Sequence, residues 1–142
     1  MSVRKRGSFR LPQTIAAFKR KKSTLPRQVG VVAKNHFFDS FKNGGFTDFS
    51  LKRWVAKKDG EASHLTKSSK LKTSIRVKSA RFSRIVVGTI AIVYAAIHNY
   101  GLRGLAFGRA AFEMPKRQFI GDSRVMDKKI IKQIDREVKR IF

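Results

Sequence analysis

The most apolar stretch of the chain, "RIVVGTIAIVYAAIHNYG", sets the first limit on the fold. Its central run, 85–97, contains Gly88 and Thr89 and is shorter than the roughly 20 apolar residues a membrane span needs. It therefore reads as core, and no membrane partner is expected. Near its end stands His98, which as a catalytic base, a metal ligand or a structural corner would imply three different kinds of protein.

The remaining chain must wrap this core while carrying an extreme charge. Thirty-three Lys and Arg face nine Asp and Glu, a formal net charge of +24 over 142 residues. Such a chain repels itself and attracts polyanions, whether nucleic acid, an acidic protein or an anionic membrane. The length fits one domain with an extension. Twelve Phe against one Trp and two Tyr make phenylalanine the main core material. Without cysteine, disulfides and thiolate metal sites are excluded. The basic start "MSVRKRGSFRLPQ" has no apolar stretch after it, so no secretory signal is visible.

Residues 1–28 read as a basic N-terminal arm, with Arg4, Lys5, Arg6, Arg10, Lys19, Arg20, Lys21, Lys22 and Arg27 and no acid before Asp39. Arms of this kind often order only against a partner. Within it Leu11, Ile15, Ala16 and Phe18 suit a small helix. Pro26 fits a first helical turn. Val29, Val32, Ala33, His36, Phe37, Ser40 and Phe41 then share one face, and "NGG" at 43–45 is a stop, which predicts a helix over 26–42. On that stripe His36 reads as a packed, hydrogen-bonded histidine. The stretch 46–70 is polar, with Trp54 as its anchor. Its part around 57–70 reads as a mobile loop, holding His64 and the basic residues Lys57, Lys58, Lys67 and Lys70.

"LKTSIRVKSA" alternates as a half-buried strand, and "RFSRIVVGT" pairs with it across a turn near 79–81. "AIVYAAIHNYG" reads as strand or short helix, with a strand start favoured and Gly101 ending it. "LRGLAFGRAAFEMPKRQFIG" reads as a loop entering a last short strand, where Pro115 argues for an edge. Asp122 or Ser123 can cap a final helix over 123–141. Its stripe is Met126, Ile130, Ile131, Ile134, Val138 and Ile141, with Lys128, Lys129, Lys132, Arg136 and Lys139 on the flanks. Asp135 and Lys139 make a favourable i,i+4 pair, worth tenths of a kcal/mol. The expected fold is α+β: a small antiparallel sheet packed with an N-terminal and a C-terminal helix, as one domain over 29–142.

Chemistry finds little footing. The histidines lie 28 and 34 residues apart with no companion ligand motif, the acids show no catalytic spacing, and "GLRGLAFG" is not placed as a dinucleotide or phosphate loop. A basic nuclease built on His98 would need an acid nearby, and none stands locally. No catalytic residue, metal ligand or cofactor is assigned. Phosphate binding by Lys and Arg is supported by charge alone, without a zinc-finger, helix-turn-helix or RNA-recognition signature.

Several pieces occur in a recognisable order. They are Trp54 in "FSLKRWVAKK"; Leu71, Ser74 and Ile75; Val87, Gly88, Thr89, Tyr94, Ala95, Ile97, His98 and Gly101; and Pro115, Arg117, Phe119 and Gly121 in "MPKRQFIGDS". Over roughly 29–140 this order resembles the phage virion morphogenesis family, the tail-completion and head–tail joining proteins of tailed phages. Gln118 and Ile120 stand where that family usually has Pro and Leu.

The resemblance implies a structural, non-enzymatic virion protein at the head–tail interface, made in the bacterial host cytoplasm. It would complete or terminate the tail and join it to the head. It implies a homo-oligomer, a hexameric ring matching the six-fold tail. The implied partners are other neck and tail proteins (connector or adaptor, tail tube, terminator), with genomic DNA within reach. The basic arm and the 57–70 loop would supply the binding surfaces, and the motif residues the structure. On this reading His98 belongs to a corner. The competing expectation is a sequence-independent nucleic-acid-binding protein.

Overall fold

A long helix organises the structure, a computed structural model that describes residues 11–56, 69–92, 94–106 and 110–142, the side chains of 104–106 and 110–112 aside. Helix α1 spans Leu11–Asn43. It leads into three antiparallel hairpins: β1 (Gly45–Thr47) with β2 (Leu51–Arg53), β3 (Ile75–Arg81) with β4 (Arg84–Thr89), and β5 (Arg103–Ala106) with β6 (Ala110–Glu113). Two short helices, α2 (Lys70–Thr73) and α3 (Ala95–Tyr100), flank the second hairpin, and α4 (Arg124–Lys139) closes the chain. The fold is α+β, with the antiparallel pairing divided among separate hairpins.

The first helix begins at Leu11 rather than near 26, absorbing the short helix expected at 11–18. Pro26 sits inside it. A proline there removes one backbone hydrogen bond and costs about 3 kcal/mol or more. Tertiary contact offsets this: Pro26 is buried, and Lys21 on the preceding turn pairs with Glu137 of α4. Just upstream, the Ser23 and Thr24 hydroxyls donate to the Arg20 carbonyl (2.8 and 3.2 Å). Gly44, with φ of +63°, turns the chain out of the helix as "NGG" predicts.

The strand expected over 71–80 starts only at Ile75, because 70–73 forms a helical turn. Thr73 Oγ1 donates to the Ser69 carbonyl (2.8 Å) and Ser74 Oγ to the Leu71 carbonyl (2.6 Å). Short hydroxyl side chains thus favour a local turn over a ladder, while Leu71 still reaches the core. The β3–β4 turn falls at Phe82 and Ser83, and a bulge between Val77 and Ser79 shifts the register. The "YAAIHNYG" segment becomes helix α3, not a strand. The Gly-punctuated stretch after it pairs with itself as β5–β6, leaving Pro115 beyond the last strand.

The core gathers on the C-terminal half of α1. Phe37 and Phe41 meet Phe46, Trp54, Leu71, Ile75 and Phe119, so phenylalanine does supply much of the interior. Phe41 is 1% exposed, tilted against Phe119 at 5.3 Å and edge-on to Trp54 at 5.7 Å. Burying each such ring contributes about 1.5–3 kcal/mol.

Helix α4 starts at Arg124, capped by Ser123, whose Oγ accepts from the Met126 N–H (3.1 Å). Its expected stripe is only half used. Met126 packs on the core, but Ile131 is 64% exposed and Ile134 and Val138 are also exposed. The residue buried instead is Glu137, at 2% exposure, turned to Lys21 on α1. The Asp135–Lys139 pair forms at 2.8 Å on the exposed side.

Candidate assembly surface

Two sites differ in kind: an internal clamp built by the motif residues, and an exposed basic face with an apolar groove. The clamp holds the segment 115–121, which belongs to no strand. An irregular buried segment must find partners for its backbone polar groups or lose the free energy of each unmade bond. Here side chains and neighbouring loops supply them.

The Arg117 N–H donates to the His98 carbonyl (2.8 Å). The Trp54 indole N–H donates to the Gln118 carbonyl (2.7 Å). Asn99 Oδ1 accepts from both the Phe119 and Ile120 N–H groups (2.9 and 3.0 Å). The Ser40 hydroxyl of α1 reaches the Phe119 carbonyl at 3.5 Å. The buried Arg117 guanidinium turns back to the Val55 carbonyl through Nε and Nη2, both at 3.4 Å. Gly101 ends α3 with φ of +66°, and a Cβ there would lie 2.9 Å from the Lys116 nitrogen. Glycine is thus required twice over at this corner, by conformation and by space.

His98 stands in the clamp through its backbone carbonyl. Its ring is edge-on to Tyr94 at 5.8 Å, and its buried Nδ1 meets no hydrogen-bond partner among the described residues. Burial lowers its pKa from the usual 6.5, and the Arg117 guanidinium lowers it further. The charge acting on it is a cation, where a nuclease would need a carboxylate. His36 matches the packed reading: its Nε2 bonds the Thr47 carbonyl (2.9 Å), and burial again lowers its pKa. Among the described residues no group of three His, Cys, Asp or Glu is placed to hold a metal ion.

Of the motif residues, Trp54, Arg117, Phe119, His98 and Gly101 meet in the clamp. Leu71, Ser74 and Ile75 line the core beside it, and Gly88 sits in β4. Pro115 and Gly121 bracket the clamped segment, and Tyr94 caps α3. Asn99 escaped sequence reasoning. Its signal was a lone amide between His98 and Tyr100 in an otherwise apolar segment.

The basic face lies elsewhere. Lys19, Arg20 and Lys22 are exposed on α1, and Lys70 is exposed at the start of α2. Lys21 is drawn inward to Glu137, which also pairs with Arg140 (2.9 Å). The hydrogen bond from Lys21 holds the Glu137 carboxyl below its usual range, against the opposing effect of burial. Arg4, Lys5, Arg6, Arg10, Lys57, Lys58, Lys67, His64 and most of the 57–70 loop lie outside the described residues. Between α1, the β3–β4 turn and the end of α4 runs an apolar groove of about 320 Å3. No described helix is long and apolar enough to cross a membrane.

Comparison with known proteins agrees with the order of motifs. The profile of the phage virion morphogenesis family matches residues 44–139, from the end of α1 to the last turn of α4. The chain belongs to that family, a family of structural phage virion proteins. No curated protein and no solved structure matches it.

Proposed function

We propose that this protein acts at the neck of a tailed phage or prophage, completing or terminating the tail and joining it to the head. The observation that carries the reading is the family match, which spans the clamped segment and all its partners except Ser40. A clamp that fixes an irregular segment by side chains gives a rigid unit suited to repetition. One heterologous contact repeated around an axis closes a ring, and a hexamer would match a six-fold tail. The cationic face of α1 suits a site beside packaged DNA or acidic neighbouring neck proteins. The proposed partners are the connector or adaptor and the tail tube or terminator.

Deletion of the gene from a producing phage, followed by electron microscopy of the lysate, tests this. Filled heads beside separate tails, or tails of abnormal length, are the expected outcome, and which of the two appears separates joining from termination. Intact infectious particles would reject it.

A second reading, sequence-independent nucleic-acid binding, is favoured by the net charge of +24. It requires affinity for random DNA that falls steeply with salt yet persists at physiological ionic strength. Loss of all binding there removes it.

A further inference from the structure

The groove beside α1 is a built feature that the clamp does not use. Its floor is apolar: Leu25, Pro26 and Val29 of α1, Ile85 of β4, and Ile134 and Val138 of α4. Phe82, 59% exposed on the β3–β4 turn, and Phe18, 49% exposed, also line it. The apolar stripe continues along α1 through Ile15 and Leu11, both exposed. A soluble chain of this charge gains nothing from leaving such a strip in water, and an exposed apolar patch rimmed by polar residues marks a binding surface.

The charges at the groove select its occupant. Lys22 lines it, with its ammonium 5.5 Å from the Phe82 ring centre, and Lys19 stands exposed on the flank of the same turn of α1. Among the described residues its one carboxylate, Glu137, is already held by Lys21 and Arg140. From residue 11 to 38 the chain contains no acid. A second copy seated by its own α1 would set these lysines against one another, which costs affinity. Nucleic acid would find cations at the rim but an apolar floor that matches no phosphate.

We infer that this groove is a docking site for an amphipathic helix of another protein, one with an apolar stripe flanked by Asp and Glu. Apolar anchors spaced by helical turns enter between α1 and α4, and the flanking carboxylates meet Lys19 and Lys22. This is helix-in-groove recognition with charge setting the choice of partner. The assignment stands on the groove itself and holds wherever in the virion the chain is placed.

The test uses the full chain and a fluorescent synthetic helical peptide, with leucines one turn apart and glutamates on both flanks, followed by anisotropy. The expected result is saturable binding, at least about tenfold weaker for a scrambled peptide of the same composition and for a version with Lys in place of Glu. Phe82→Ser and Val138→Ser, both at exposed positions, should each weaken binding about tenfold while thermal unfolding stays that of the parent. Four results with the peptide and the parent protein overturn the inference, and a fifth comes from competition with DNA. They are absence of binding by the amphipathic peptide, equal binding of the scrambled peptide, unchanged binding in both variants, and self-association of the parent protein that both variants abolish. Displacement of the peptide by duplex DNA that is itself weakened in both variants would overturn it too, assigning the groove to nucleic acid.

Discussion

The C-terminal and N-terminal halves of α1 belong to one helix, yet they meet their surroundings differently. From Val29 to Phe41 the apolar side is covered by hairpins and the clamped segment, and Phe41 keeps only 1% of its surface. From Leu11 to Leu25 the apolar side stays largely open, and every charged residue is a cation. The contrast teaches where stability and recognition reside. Buried groups in the clamp hold one another, so a change there is felt as lost folding free energy. Exposed groups at the other end touch little within the chain, so a change there leaves the fold and alters what it meets.

That comparison can be broken by mutation. Phe41→Ala should cost about 3–5 kcal/mol, read as a lower urea midpoint, because a ring is lost from the closed end of the helix. A loss under about 1 kcal/mol would mean the clamp end is no firmer than the groove end. Asn99→Leu should cost about 1–3 kcal/mol for each of the two N–H groups it orphans. Hydrogen exchange at Phe119 and Ile120 should rise well above that of α4, and unchanged protection would show that Asn99 is not what fixes the segment.

Acid should sharpen the contrast further. His36 and His98 have folded-state pKa values below the ordinary 6.5, so the unfolded chain binds more protons as pH drops past that value. Their contribution is complete above pH 6.5 and declines as pH falls below it. Glu137, also lowered, adds a second decline below its ordinary 4.5. His98→Gln should flatten the upper window in a pH series of thermal melts, and a parent curve flat from neutral to mildly acid pH would contradict it. The smallest effect is expected at the open end. Joint replacement of Lys19, Arg20 and Lys22 by Glu should shift stability by only about 0.5 kcal/mol per site at most, while abolishing binding to acidic partners. A large loss of stability would show that these cations serve the fold.

Much of the clamp end could be read from residue order. Trp54 as anchor, a cap at Asp122 or Ser123, Gly101 as stop, the β3–β4 pairing and the family itself all rest on local chemistry that one sequence displays. The α1 start could not be read, because Pro26 looks like a first turn. Only its burial and the Lys21–Glu137 contact, across 116 positions of the chain, make it tolerable mid-helix. The same distance hid Glu137: helical spacing sets it on the face of Met126, Ile130 and Ile141, but its mate Lys21 lies far away in sequence. Asn99 was hidden for a related reason: its value lies in two N–H groups twenty residues away. The fold class and the identity of the motif residues were therefore accessible, while the groove, made by three elements distant in sequence, was not.

The contact between Lys21 and Glu137 also bears on synthesis. In order of synthesis α1 precedes α4, so Lys21 has no carboxylate to meet until Glu137 has been made. A chain cut short before Glu137 lacks this latch and leaves Lys21 without its carboxylate. The groove exists only once α4 packs beside α1, so a chain without α4 cannot present it.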